Sequence, residues 1–543
     1  MDRPWYAFYD KDVPRTIEYP KTTLKEIFNR NTDQNPDKPY LIFRDITLPY
    51  RVCNFMARRL ANGLLGLGVR KGDRLALVLP NIPQYPIALM ACFKIGAIAV
   101  PANPLYTVPE LAFQFRDSGA ETVIVLAHFA DKAIRIIEEG GTPLKTVITV
   151  QIPGKSIALK KVQGLEDYDI LMAKSSCGEP SITLAPGDIA ILQYTGGTTG
   201  VPKGCKLTHA NLVAMQEQTA VWGRPGCDLD QLRTLATIPL YHVFGMNCNI
   251  NLTLQCAGTM VLVPQPTPDA ILEAINHHEP NVWATVPTMI QGLLDHPEIG
   301  KSKLRNMKLV LSGAAPLHVE VMNRFERLSG ARIIEGYGLS ETSNVVSAIP
   351  VMGKRKPGSV GTPWPDVDMR IVDLETGTKE MPPGEAGEII AKGPQIMDGY
   401  WKNPEETAKA LRDGWLYTGD IGYMDAEGYL FILDRKKDMI ICSGFNVFPR
   451  EIDEVLYANP KVSDACAIGI PDEKRGETVK AFIVVKSGEI LTGQEITDFC
   501  KERLAPYKVP KIVEFIDQLP KTLVGKPDRK TLRAMDAAKR KQL

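Results

Sequence analysis

DIAILQYTGGTTGVPKG, residues 188–204, joins two kinds of chain within seventeen residues. An apolar run ends at Tyr194 and passes directly into a loop carrying four glycines, three threonines and one lysine. A helical pattern, HANLVAMQEQTAVW, begins at 209. Strand, glycine-rich turn, then helix is the building unit of a layered α/β fold. In such a loop, glycines let backbone N–H groups approach phosphate oxygens, hydroxyls donate further bonds, and Lys203 adds a point charge. It is not the G-x-x-x-x-G-K-[ST] phosphate loop, because Gly204 follows Lys203. A plain glycine-rich turn has the same composition, so the rest of the chain must decide.

The same alternation runs outward from this point. Short apolar, β-branched runs predict strands at 74–80, 122–127, 146–151, 259–264, 282–287 and 308–313, with helix-like patterns between them from about residue 22. In PLHVEVMNRFERLSG (316–330), Val321, Met322, Phe325 and Leu328 form one apolar stripe, and Gly330 suits a helix C-cap. After residue 360 turns become dense, as in PPGEAGE (382–388) and DAEGYLF (425–431), which predicts a small β-rich subdomain. The charged run DRKK at 434–437 marks a boundary. Beyond it the order is helix (449–458), strand (462–470), strand (478–485), helix (493–504), strand (510–517). The expected class is α/β: a large layered N-terminal domain, residues 1–434, with α/β subdomains and the β-rich one, and a small α+β C-terminal domain, residues 435–543.

At 543 residues the chain is too long for a single core. Lys plus Arg (64) balances Asp plus Glu (63), which argues against a nucleic-acid partner. The one basic excess, RKTLRAMDAAKRKQL at the end, reads as a solvated tail helix. The most apolar stretch, YPIALMACF, meets Lys94 after nine residues, too short to cross a bilayer. The N-terminal MDRPWYAFYDKDVPRT has charges where a signal peptide needs an apolar run. Ten cysteines without metal-site spacing suit a reducing compartment and buried thiols, so the expected location is cytoplasmic.

Three further stretches could carry chemistry. In EGYGLSET (335–342), Glu341 follows a tight G-x-G turn, where it could hold Mg²⁺ or merely face a helix dipole. In YTGD (417–420), Asp420 could accept both hydroxyls of a ribose, with Arg435 fifteen residues later; a surface ion pair is the plainer reading. In LPKTLVGKPDRK (519–530), Lys526 could be functional or a solvated loop charge. No Ser–His–Asp set is apparent, and His277 and His278 have no third ligand nearby. Of the seven histidines, His242 in PLYHVFG alone has apolar sequence neighbours, which by default means packing.

Taken together and in this order, these stretches resemble the adenylate-forming superfamily of acyl-CoA synthetases, luciferases and peptide-synthetase adenylation domains. YTGGTTGVPKG is similar to its phosphate loop, EGYGLSET to its Y-G-x-[ST]-E motif, WLYTGD to its ribose motif, DRKKDMIICSGFNVFPREIDEVL to its hinge and following glycine loop, and PKTLVGK to its C-terminal lysine motif. NPLYTVPELAFQFRDSGA (103–120), KKDMIICSGFNVFP and the N-terminal WYAFYDKDVP are most like bacterial long-chain fatty acid–CoA ligases.

The resemblance implies a two-step reaction using ATP, Mg²⁺ and coenzyme A on a carboxylic acid. It assigns Thr195, Gly196, Gly197, Thr198, Thr199, Gly200 and Lys203 to the phosphates, Ser340 to the nucleotide phosphate and Glu341 to Mg²⁺. Gly313, Ala314, Ala315, Glu335, Gly336 and Tyr337 line the adenine, and Asp420 with Arg435 takes the ribose. Lys526 meets the α-phosphate during adenylation, His242 borders the acyl site, and Ser443, Gly444 and Phe445 serve thioester formation after a rotation about Lys437. Lys526, Glu341, Thr195 and His242 are the expected catalytic positions. The acyl pocket is expected around 215–222, 242–247, 285–290 and 343–346, apolar with small members. Leu339 stands where acetate-specific relatives carry tryptophan, which implies a larger acid. After Lys526 the chain reads PDRK in place of the more usual apolar pair and Arg-Arg.

The expected activity is therefore an AMP-forming ligase of medium- to long-chain fatty acids and CoA. An alicyclic or aromatic acid, or a carrier protein as acceptor, fits the same chemistry. A non-catalytic nucleotide sensor is disfavoured by the retention of Glu341, Asp420 and Lys526 together. Peripheral membrane contact suits a lipid substrate and a homodimer is compatible with the chain, but neither has a signature in the sequence.

Overall fold

The computed structural model describes residues 3–540 except 153, 155, 196–200, 314, 316, 443–444, 473–474 and 522–526. The chain forms two compact units. The first is drawn from Met1–Gly196, Pro202–Asp368 and Lys392–Leu416, the second from Met369–Ala391 and Tyr417–Leu543.

The first unit holds two large sheets. One runs Leu165–Asp167, Thr146–Val150, Thr122–Leu126, Arg74–Val78, Ile98–Pro101, Ile189–Tyr194, Gly204–Thr208. It is parallel up to its last pair, where Gly204–Thr208 folds back antiparallel on Ile189–Tyr194. The other runs Thr362–Pro363, Ser347–Ala348, Arg332–Tyr337, Leu309–Ser312, Val282–Thr285, Arg233–Ala236, Thr259–Leu262, Pro39–Phe43, Ile46–Pro49. It is parallel in the middle and antiparallel at both ends. Every strand read between 74 and 313 is present. Their near-continuous burial explains why they read as unbroken apolar runs rather than alternating ones.

A single core joins the two sheets, with Leu77 and Ile124 from one, Leu41 and Met260 from the other, and Phe28, Tyr50, Leu60 and Phe93 from helices between them. The helix Gln84–Ile95 is buried from Tyr85 onward, so YPIALMACF is a core helix. Its Lys94 reaches Asn29 (2.7 Å) and both oxygens of Glu179 (2.8 and 3.0 Å). The helix Val319–Ser329 buries Met322 and Phe325 with Val321 and Leu328 packed alongside, and Gly330 ends it at φ 74°.

The second unit contains most of a five-stranded sheet built on Gly387–Lys392, Trp415–Met424 and Leu430–Arg435, the β-rich part expected from the turns. A further sheet runs Phe445–Val447, Ile440–Cys442, Gly476–Val485, Val462–Asp472, with Ile512–Phe515 parallel on Gly476–Val485. One face is covered by helices Pro449–Tyr457 and Gly493–Lys501 through Ile452, Leu456, Ile496 and Cys500. The other is covered by Leu532 of the terminal helix Arg529–Arg540. The tail is thus a helix but not a solvated one. Besides Leu532 it buries Asp536, whose Oδ1 accepts from Lys480 at 2.6 Å. All ten cysteines are free; eight are buried, Cys256 is half-buried and Cys177 is exposed. No helix among the described residues is long and apolar enough to cross a membrane.

Candidate active site

Parallel strands deliver their carboxyl ends to one rim, and loops leaving that rim are where an open α/β sheet binds ligands. Here Thr285, Ser312 and Glu335 stand in register on three neighbouring strands. Gly313 follows Ser312 and donates to the Thr285 carbonyl at 3.2 Å. The ring of Phe244 lies so close that a Cβ on Gly313 would meet it at 3.1 Å. Glu335 accepts from the Leu317 N–H at 2.9 Å, while Gly336 and Tyr337 pair with Ala348 and Ser347. Gly338 is obligatory, since a Cβ there would sit 1.4 Å from the Asn344 carbonyl oxygen. Gly313, Ala315, Glu335, Gly336 and Tyr337 therefore share one rim of one sheet; Ala314 lies outside the described residues.

The glycine loop leaves the other sheet of the same unit. Thr195 and Lys203 close its neck, Thr195 N–H donating to the Lys203 carbonyl at 3.0 Å. Gly196, Gly197, Thr198, Thr199 and Gly200 lie outside the described residues. Lys203 forms an ion pair with Glu406 and lies 4.7 Å from the ring centroid of Tyr400. The Lys203 ammonium, followed by Lys409, pulls the Glu406 carboxyl down to about 2. The Tyr400 hydroxyl donates to Glu341 Oε1 at 2.7 Å, and the Met397 N–H donates to the Glu341 carbonyl at 2.8 Å. Burial first, then the charge of Glu341, pushes the Tyr400 phenol far above its ordinary range.

Tyr400 and Glu406 were not singled out in the sequence. They lie in GYWKNPEE, residues 399–406, whose one local signal is Asn403 before Pro404, a helix start.

Ser340 and Glu341 sit on the single turn Ser340–Thr342, after which Ser343 adopts the left-handed φ of 55°. Such an outlier persists only where its surroundings hold it, and here the Ser343 hydroxyl donates to the Gln395 carbonyl at 2.8 Å. Among the described residues no three His, Cys, Asp or Glu side chains gather as a protein cage for a metal. One carboxylate whose second oxygen has no part in the Tyr400 bond suits Mg²⁺, which takes one or two carboxylates and completes its shell with water and phosphate.

His242 is half-buried and caps the turn Val243–Gly245, its Nδ1 accepting from the Phe244 N–H at 3.3 Å. The most buried histidine is instead His209, 1 % exposed, edge-on to Phe93 and accepting from the Leu24 N–H at 3.4 Å. Its polar sequence neighbours concealed this, because its apolar surroundings come from elsewhere in the chain. Phe244, Val286 and Met289 pack with Ile238, Cys248, Ala284 and Leu311 in one apolar cluster. The segments expected around the acyl pocket also carry polar side chains. Gln216, Gln218, Asn247 and Asn344 are buried there too. Two of them serve as braces: Asn247 donates to the Val243 and Ser343 carbonyls, and Gln218 to the Pro365 carbonyl.

In the second unit, Asp420 and Arg435 are cross-strand partners, with Nε 3.2 Å from Oδ1. Asp420 is buried, while the Arg435 side chain reaches the surface. Phe445 is half exposed and stacks on Tyr507 at 4.5 Å. Asp528 and Arg529 of PDRK anchor the terminal helix. Asp528 accepts from the Lys530 and Thr531 N–H groups, and Arg529 pairs with the buried Asp453. Ser443, Gly444 and Lys526 lie outside the described residues.

Comparison with known proteins identifies the family. The family model described as AMP-binding enzyme matches residues 28–401, and that described as AMP-binding enzyme C-terminal domain matches 451–526. The chain belongs to the AMP-binding enzymes, the adenylate-forming superfamily. A long-chain-fatty-acid–CoA ligase of Bacillus subtilis (strain 168) is 42% identical to this AMP-binding enzyme over 550 residues, covering 98% of this chain and 97% of that one. Among solved structures, ATP-bound MatB from Rhodopseudomonas palustris superposes with a TM-score of 0.85 at 32% identity, covering 95% and 99% of the two chains. The o-succinylbenzoate–CoA synthetase MenE of Bacillus subtilis, in complex with ATP and magnesium ion, gives 0.79 at 30% identity, covering 93% and 98%.

Proposed function

We propose that this AMP-binding enzyme is an AMP-forming ligase that adenylates a medium- to long-chain fatty acid with Mg·ATP and transfers the acyl group to coenzyme A. One observation carries the reading: Tyr400 brings the lysine at the neck of the glycine loop and the Glu341 carboxylate to one side chain, a cationic and a metal-binding pole for one polyphosphate. The full-length likeness to long-chain-fatty-acid–CoA ligases supports the choice of acid.

A carboxylate cannot be thioesterified directly, because oxide is not a leaving group. Its oxygen attacks the α-phosphorus of ATP, pyrophosphate leaves, and the CoA thiol then displaces AMP from the mixed anhydride. Both steps need positioning and charge neutralisation rather than a protein nucleophile. Thr195 to Gly200, Lys203 and Ser340 hold the phosphates; Gly313 to Ala315 and Glu335 to Tyr337 line the adenine. Asp420, aimed by Arg435, takes the ribose hydroxyls, and Glu341 holds Mg²⁺, which neutralises phosphate charge when bound. Lys526 stabilises the charge moving toward the bridging oxygen. His242 and the cluster around Phe244 receive the acyl chain.

The chain divides for this purpose into residues 1–434 and 435–543, turning about 434–437 so that Ser443, Gly444 and Phe445 serve the second step. Lys437 is exposed, as a pivot solvated in both states requires. The reading places the enzyme in the cytoplasm, meeting its lipid substrate in solution or at a membrane surface.

The test is ATP-dependent pyrophosphate release with CoA across acetate, octanoate, palmitate, benzoate and cyclohexane carboxylate, with products weighed by mass spectrometry. Greatest turnover is expected between octanoate and palmitate. Greatest turnover with a ring acid would overturn the substrate and keep the chemistry, whereas pyrophosphate without any thioester would point to a carrier-protein acceptor.

A further inference from the structure

The segment 397–406 is threaded between the two motifs that handle phosphate charge. Its backbone is bound to the strand that leaves the glycine loop: the Lys206 N–H donates to the Gly399 carbonyl (2.9 Å), the Asp398 N–H to the Lys206 carbonyl (3.0 Å) and the Trp401 N–H to the Gly204 carbonyl (2.8 Å). On its other side the Met397 N–H holds the Glu341 carbonyl. Tyr400, 7 % exposed, sits in the middle, with its ring face toward Lys203 and its hydroxyl on Glu341. Glu406, at the far end of the segment, takes the Lys203 ammonium.

We propose that Tyr400 is the positioning residue for the metal-binding carboxylate of Glu341. This rests on the assignment of Glu341 to Mg²⁺ made above. A glutamate side chain turns about several torsions, and an O–H donor on one carboxylate oxygen restricts the orientation of the group while leaving the other oxygen for the ion. Tyr400 never touches the nucleotide in this role. It acts through Glu341, as donors to metal-bound carboxylates generally do. The same ring lies against Lys203, so the carboxylate and the ammonium are spaced by one rigid side chain rather than by two independent ones.

The test is calorimetric titration of the full-length protein with a non-hydrolysable ATP analogue, with Mg²⁺ and with EDTA, for the wild type, Tyr400→Phe, Glu341→Gln and the double variant. Tyr400→Phe removes one oxygen and keeps the ring beside Lys203. It should weaken the magnesium-dependent part of binding about tenfold while leaving binding in EDTA within about twofold. In the double variant it should add nothing to Glu341→Gln. Equal weakening with and without Mg²⁺, or full additivity in the double variant, would overturn the positioning role. A Glu341→Gln variant with unchanged magnesium dependence would instead overturn the metal assignment on which the role rests. The unliganded melting temperature of each variant checks folding. If Tyr400→Phe melts early, all variants are titrated at a temperature at which it remains folded, with the same expectation.

Discussion

His209 shows what a single side chain contributes when its environment is assembled from distant parts of the chain. It opens the helix His209–Gly223, where the positive end of the helix dipole already disfavours a charged ring. Burial pushes its pKa down to about 4. In the unfolded chain the ring titrates near 6.5, so between these values the unfolded state binds more protons than the folded one. The neutral ring's contribution to stability is therefore complete above pH 6.5 and declines as the pH falls toward 4. Thermal melting from pH 7.5 to 4.5 should show His209→Gln losing less stability than the wild type, and parallel curves would refute the assignment. Lys203, Glu341 and Asp420 were legible in the sequence because short local motifs carry them. Tyr400 was not, because its meaning lies in a bond to Glu341, 59 residues away, and no local pattern encodes that separation.

Elements were legible where one face differs from the other. The stripe of Val319–Ser329 gave both its helix and its buried face. Gln84–Ile95 has no polar face, so its periodicity is silent and only its length distinguished it from a membrane span. The terminal helix misled in the opposite direction. Arg529–Arg540 is dominated by charge, and its single leucine looks like chance. Yet Leu532 is fully buried against Cys466, Ile468 and Phe482, and Asp536 meets Lys480. Leu532→Ala should destabilise the second unit by about 2–4 kcal/mol. The exposed Lys530→Ala should change stability by less than about 0.5 kcal/mol. Urea unfolding of both variants measures this, and equal midpoints would show that the helix contributes no docking energy.

At the scale of the molecule, alternation of strand and helix predicted layered sheets, but not the order in which strands lie within them. Pro39–Phe43 pairs with Thr259–Leu262, a neighbour more than 200 residues away, because parallel sheets are completed by crossovers that leave no trace in either strand. The two-step chemistry proposed above has the chain turn at 434–437. Lys437→Pro fixes φ at the proposed pivot and should slow thioester formation about tenfold or more, while a single turnover still releases pyrophosphate. Equal slowing of both steps would mean that no turn at this position separates them. The distribution of thiols has a practical corollary. With eight of ten sulfurs sealed in cores and Cys177 alone fully open, a maleimide should tag the native enzyme at one place. Each slower adduct then times the opening of one particular core, with Cys53 and Cys92 reporting on the first unit and Cys466 and Cys500 on the second, so the protein carries its own set of chemical clocks.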